Sequence, residues 1–424
     1  MVKVEKLKNG STFIFEEIPD TKLVTVMVGV SVGSNNETEE ENGLAHFFEH
    51  MCFKGTEKYK TPAELLSIIS TLGVANASTS NDITDYYIKG LAKNLEEIID
   101  VTSEMFIRSK FPVDELEKEK GVILQEYNMH EDNDYSKVEQ LLVEQLFKGT
   151  PAGREIIGTK ENIKRFSRDD FVAFLEKHYN TANAIITIVG DVKYEDAKRL
   201  TEQYFADIRK GPKSIKEEIK PARDTDNIVF NKKDREQITL NLGVPSVKRA
   251  DKNYYSAKLL AKILAGGFSS RLWKELREKG SYCYDVCSIQ FGYADYGHFT
   301  VDTKIEPDKL KEVMKIIIRE LKKLKEEEVG AEELARFKES MIVAVNLKNE
   351  NRFGGRPRKY MRDYVNLGVI EMPEETIEKI QKINSAEIKE VANKLLTKDK
   401  VKLAVVGPLN QELKPEIESI LNEL

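Results

Sequence analysis

His46 and His50 stand four residues apart in the segment His46-Phe47-Phe48-Glu49-His50, with Glu49 between them. On a helix, side chains four apart share one face, so both imidazoles can ligate a single metal ion. Zinc held by such ligands lowers the pKa of its water to about 7, and a nearby carboxylate can accept that water's proton. The chemistry these residue types point to is metal-assisted hydrolysis, of the kind a zinc peptidase performs. It needs two more parts, a carboxylate ligand and an uncoordinated carboxylate base. The order His-x-x-Glu-His inverts the usual His-Glu-x-x-His zinc helix. With five histidines in 424 residues, a chance match is expected in about one such sequence in a hundred.

The elements that must position these residues follow from periodicity and turn chemistry. Asn9-Gly10 marks a hairpin between strands at 4–7 and 12–16. The β-branched run 23–32 predicts a central strand, and 43–53 predicts the helix that carries the histidines. Thr61-Pro62 opens a further helix as N-cap and first helical residue. Strands are expected at 75–79 and 85–90, amphipathic helices at 94–108, 113–130 and 167–178, and a closing strand at 183–189. A Gly- and Pro-bearing charged stretch at 210–226 reads as a linker.

The second half repeats the first. The stretch 237–244 stands where 24–32 stood, 254–265 where the His46 helix stood, and 401–408 where 184–192 stood. The fold class expected is α+β, with two homologous duplicated domains. Each is a mixed, mainly antiparallel sheet with packed helices. The boundaries expected are 1–212 and 227–424, joined by a linker at 213–226.

Composition excludes several classes. A net charge of -6 speaks against a general nucleic-acid binder. Three cysteines, Cys52, Cys283 and Cys287, do not make a disulfide framework. No run is apolar for the ~18 residues of a membrane span, and the first residues carry no signal-peptide core. The expected location is therefore cytoplasmic, with no membrane and no nucleic-acid partner.

The segment Gly43-Leu44-Ala45-His46-Phe47-Phe48-Glu49-His50-Met51-Cys52-Phe53-Lys54-Gly55-Thr56 resembles the signature of the inverzincins, the pitrilysin/insulinase-type zinc metallopeptidases. Length and two-unit build resemble their mitochondrial-processing-peptidase-like subfamily. The resemblance implies a third ligand on a Glu about 76 residues beyond the second His, here Glu126, and a supporting Glu two turns earlier, here Glu119, that orients a His ligand. In the second half, Phe337 and Ala344 occupy the matching positions, so the metal chemistry belongs to the first half. Leu276-Arg277-Glu278-Lys279-Gly280-Ser281-Tyr282-Cys283-Tyr284 resembles the family segment whose Arg and Tyr reach the substrate. Those two are Arg277 and Tyr284 here, with Gly280 where a basic residue is usual. Asn76-Ala77-Ser78-Thr79 resembles the substrate-binding edge strand, along which an extended peptide adds.

The resemblance also implies one Zn²⁺ per chain, peptide substrates, and a closed chamber formed by two copies, or by this chain and a related partner. The implied activity is that of a metalloendopeptidase with Glu49 as base. A non-catalytic scaffold subunit of the same fold is the alternative, and such relatives lose the metal motif. Two other features read as structural. Gly266-Gly267 is a tight turn, and His130, His178 and His298 are packing or surface residues. The basic stretch 352–362 is a solvated loop or a patch for acidic substrate segments.

Overall fold

The computed structural model describes residues 2–223 and 225–424. Packing divides the chain into two compact units. One comprises Met1–Asn128, Arg154–Glu217 and Lys348–Glu371, the other Met129–Gly153, Glu218–Leu347 and Met372–Leu424.

The first unit is built on strands β1 (Lys3–Lys6), β2 (Thr12–Glu17), β3 (Leu23–Val30), β4 (Gly73–Thr79), β5 (Thr84–Leu91) and β6 (Ala184–Gly190). Their order is β1-β2-β6-β3-β5-β4. The β2–β6 pair is parallel and the other neighbours are antiparallel. The turn before β2 forms because Gly10 adopts φ 96°, while Asn9 Oδ1 accepts from the Ser11 amide at 3.0 Å. β3 is central and buried on both faces. Its Val24, Val26, Val28 and Val30 join the main core, and Met27 joins a smaller core on the opposite face.

The second unit carries β7 (Ile228–Lys232), β8 (Ile238–Ser246), β9 (Cys283–Gly292), β10 (Gly297–Ile305) and β11 (Lys402–Gly407), in the order β7-β11-β8-β10-β9. Here the β7–β11 pair is the parallel one. Setting β2-β6-β3-β5-β4 beside β7-β11-β8-β10-β9 gives the same order and the same parallel pair. The duplication read from the sequence is present in these five strands, and β1 has no counterpart in the second sheet.

Helices α1 (Leu44–Met51), α2 (Pro62–Leu72), α3 (Leu95–Ile107), α4 (Val113–Asp132) and α5 (Asp134–Phe147) follow in the first half. In α2, Thr61 accepts from the Glu64 amide and Pro62 takes the first helical position. Two equivalent helices are exchanged between the halves. Helix α5 packs on β8 and β11, whereas its counterpart, Gly355–Leu367, packs on β3 and β6. Strand glycines make room for both. A Cβ at Gly29 would meet Met361 Sδ at 2.8 Å, and one at Gly243 would meet Leu142 Cδ2 at 2.8 Å. Neither compact unit is therefore a continuous stretch of chain.

Candidate metal centre

Helix α1 is short, so its start must be held from outside. The buried Glu37 carboxylate does this, accepting from the Ala45 amide at 2.6 Å and the Gly43 amide at 3.0 Å. Gly43 sits at φ 96°, where a Cβ would press to 2.6 Å from Ile157 O. Leu44, Ala45, Phe47, Phe48 and Met51 are all buried. Phe48 packs against Phe111 and Tyr179, with ring centroids 5.0 and 4.4 Å away. Burying this face leaves His46, Glu49 and His50 half-buried on the opposite edge.

Helix α4 meets that edge. Leu116, Glu119 and Ile123 are its buried residues, and Glu126 lies one turn on from Ile123. His46 Nε2 stands 3.7 Å from Glu126 Oε1, and His50 Nε2 stands 3.5 Å from Glu126 Oε2. Ligand atoms of the three residues all lie within 4.8 Å of one another, the one such cluster among the described residues. Donors around a tetrahedral zinc ion stand about 3.3 Å apart, so this donor set fits zinc with little adjustment.

His50 is further fixed by its other nitrogen. Nδ1 donates to Glu119 Oε1 at 2.9 Å, which leaves the Nε2 lone pair directed toward Glu126. Lys54 Nζ, at 2.6 Å, neutralises the second Glu119 oxygen. Burial alone would raise Glu119, but His50 and Lys54 outweigh it and hold the carboxyl below its ordinary value. Burial alone would lower His50, yet the Glu119 bond and the charges of Glu126 and Glu49 raise it. Glu49 stands outside the ligand cluster. Burial raises its proton affinity, and Thr79 Oγ1 donates to its Oε2 at 2.5 Å.

Strand β4 lies at the edge of its sheet, paired on one side by β5. Asn76 and Val74 face solvent, and Asn76 Oδ1 accepts from the Ala77 amide at 2.8 Å. Ser78 Oγ donates to Asp85 Oδ2 at 2.8 Å. The hydroxyl of Thr79 is thus engaged with Glu49, a contact that strand periodicity does not disclose.

Residues 12–160 match the model of "Insulinase (Peptidase family M16)", and residues 165–341 match that of "Peptidase M16 inactive domain". The chain belongs to peptidase family M16. An "Uncharacterized zinc protease" of Rickettsia bellii is 34% identical over 409 residues, spanning 96% of this chain and 98% of the relative. A Bacillus subtilis protein, "Uncharacterized zinc protease YmxG", is 30% identical over 409 residues, with 96% and 98% covered. The crystal structure of a protease from Helicobacter pylori superposes with a TM-score of 0.89 at 24% identity, covering 96% of this chain and 99% of that one. At that identity it speaks to the fold alone.

The M16 inactive-domain match agrees with what the second half lacks, since its counterpart to α4 buries Phe337 where α4 buries Glu119. Arg277 and Tyr284 belong to the second unit. Arg277 lies in the last turn of a π-helical stretch, Trp273–Lys279, and Tyr284 is the second residue of β9. The Arg277 guanidinium lies 4.5 Å from both the Trp273 and Tyr284 ring centroids and donates to the Tyr284 carbonyl. Tyr284 is 83% exposed, which leaves its hydroxyl open to a ligand. Gly280 has a packing reason, because a Cβ there would meet the Tyr282 ring at 2.1 Å.

The basic stretch 352–362 is a turn only as far as Gly354, and Arg352 and Arg362 are exposed. From Gly355 it is helical, and two of its cations dock that helix onto the first sheet. Arg356 pairs with Glu16 at 2.7 Å and Arg358 with Asp85 at 2.9 Å. Tyr360 Oη donates to Glu16 at 2.8 Å. Among the described residues, no helix of this M16 protein is long and apolar enough to cross a membrane.

Proposed function

We propose that this M16 protein is a zinc-dependent endopeptidase that hydrolyses peptides or unfolded polypeptide segments in a chamber closed by two copies of the chain. The observation that carries the reading is the convergence of His46, His50 and Glu126 on one point, with Glu49 beside it but outside the ligand set. Zinc bound there, one ion per chain, supplies Lewis-acid polarisation of the scissile carbonyl and a nucleophilic water. A structural zinc site is normally closed by four protein ligands, whereas here three ligands adjoin a free carboxylate.

Glu49 accepts the proton of the attacking water and delivers it to the leaving amine, and its raised proton affinity suits both transfers. Thr79 orients the receiving carboxylate through Oε2. Glu119 holds His50 in the tautomer that can ligate. Tyr284 and Arg277 donate to the developing oxyanion and to substrate carbonyls. They act from one copy upon the ligand cluster of the other, in a homodimer. An extended substrate adds to the free edge of β4 at residues 76–79, gaining main-chain hydrogen bonds that depend little on side-chain identity.

The test is Glu49→Gln. Zinc content should stay at one ion per chain while peptide cleavage falls by about three to four orders of magnitude. Full cleavage by the variant would remove Glu49 as base, and absence of cleavage by the wild-type protein would favour the scaffold alternative.

A further inference from the structure

Exposed apolar residues flank the metal ligand that α4 supplies. Val122 lies four residues before Glu126 and Met129 three residues after it, all on one continuous helix. Residues at this spacing share one helix face. With a rise of about 1.5 Å per residue, the two apolar side chains start about 6 and 4.5 Å along the axis on either side of the ligand. Val122 is 47% and Met129 70% exposed, and the Glu126 side chain between them is 34% exposed. The charges of α4 stop short of this face. The exposed residues from 121 to 129 are Gly121, Val122, Gln125, Asn128 and Met129, none of them charged.

Single apolar residues on a surface are ordinary, and the duplication shows what is particular about these two. In the counterpart helix, Ala331–Glu350, Ser340 stands at the place of Val122, Ala344 at that of Glu126 and Leu347 at that of Met129. Leu347 is 69% exposed, so an apolar residue at the last place is common to both halves. The bracket of two occurs only where the ligand does. What covers this face follows from the ligand. A peptide presented to the point where His46, His50 and Glu126 converge lies against the exposed side of Glu126, and its side chains near the scissile bond meet Val122 and Met129.

We infer that Val122 and Met129 set a substrate preference by seating an apolar side chain of the bound peptide next to the scissile bond. The inference rests on the peptidase reading above and names its substrate class, polypeptide segments with a large aliphatic or aromatic side chain at the cut.

Fluorescence anisotropy on the full-length, zinc-loaded chain tests it, with Glu49→Gln present so that peptides stay uncut. The probes are two labelled Gly/Ser peptides, one with a central Leu and one with Ser in its place. The Leu peptide is expected to bind about tenfold tighter. Adding Val122→Ser and Met129→Ser together should bring that ratio to about one, with zinc content still at one ion per chain. Leu347→Ser, an equally exposed apolar change beside no ligand, should leave the ratio as it was. No preference for the Leu peptide, a preference that the double variant keeps, an equal loss in Leu347→Ser, or loss of zinc from the double variant overturns the inference. Light scattering that shows the double variant falling from dimer to monomer assigns the face to contact between copies and overturns it as well. Cleavage assays with Glu49 restored separate the two readings. A binding preference without any cleavage removes the peptidase reading alone, and cleavage whose preference for the Leu peptide survives the double variant removes this inference alone.

Discussion

Glu119 Oε1 accepts a hydrogen bond from His50 Nδ1 at 2.9 Å across the contact between α1 and α4. The bond sets the imidazole tautomer and the ring direction together. In Glu119→Gln, an amide can present its NH₂ group to Nδ1, which would move the ring proton onto Nε2 and block ligation. Zinc affinity is therefore expected to fall about 10–100-fold with the fold intact. Competition with a chromogenic chelator measures the affinity, and circular dichroism checks the fold. Unchanged affinity would show that the bond only packs the two helices.

The same bond shows how far the sequence could be read. His46, Glu49 and His50 were legible because their spacing is itself the chemistry, and the flanking apolar residues make the helix. Glu119 and Glu126 sit in a charged helix, where carboxylates normally face solvent. They were legible through the family resemblance rather than through any local signal. The exchanged helices were not legible at all. An amphipathic helix states that it has an apolar face but not which sheet covers it, so the docking role of Arg356 and Arg358 was hidden in a stretch that reads as a basic loop. The hydrogen bond from Thr79 to Glu49 joins residues of different elements and leaves no periodic trace.

Arg358 is predicted to matter for both stability and base strength. Asp85 is 3% exposed and holds Arg358 at 2.9 Å. Arg358→Leu leaves that carboxylate buried with Ser78 as its side-chain partner. Unfolding in urea should show a loss of about 3 kcal/mol. Negative charge on Asp85 already raises Glu49, and removing the guanidinium leaves that charge uncompensated. The acidic limb of kcat/KM should move to higher pH in whatever variant protein remains folded. A limb that stays in place would separate Asp85 from the reaction.

His298 gives a pH-dependent prediction. It is 1% exposed, stacks on Phe291 with ring centroids 4.5 Å apart, and neither ring nitrogen has a hydrogen-bond partner among the described residues. Burial pushes its pKa from 6.5 down to about 3. The folded state thus refuses a proton that the unfolded state accepts. The contribution to stability is complete above pH 6.5 and is lost as pH falls toward 3. His298→Phe keeps the stack and removes the titration. At pH 5 the variant should retain about 2 kcal/mol that the wild-type protein loses, read from urea midpoints at pH 7.5 and pH 5. Equal losses in both would place the acid sensitivity elsewhere, with His178, held down to about 4 by burial, as the next residue to replace.

The trans arrangement proposed for the Arg277–Tyr284 pair predicts complementation between two inactive variants. Glu49→Gln keeps an intact Tyr284, and Tyr284→Phe keeps an intact Glu49 and ligand set. Each alone should cleave peptides poorly. After mixing and subunit exchange, half the dimers carry one chain of each kind, and in each of those one site unites Glu49 from one copy with Tyr284 from the other. Activity should recover to about a quarter of the wild-type value. If both residues serve a site within one chain, no mixture restores activity, because every site then lacks one group or the other. Light scattering on the same samples supplies the control, since a monomer at assay concentration would exclude the shared site whatever the mixture does.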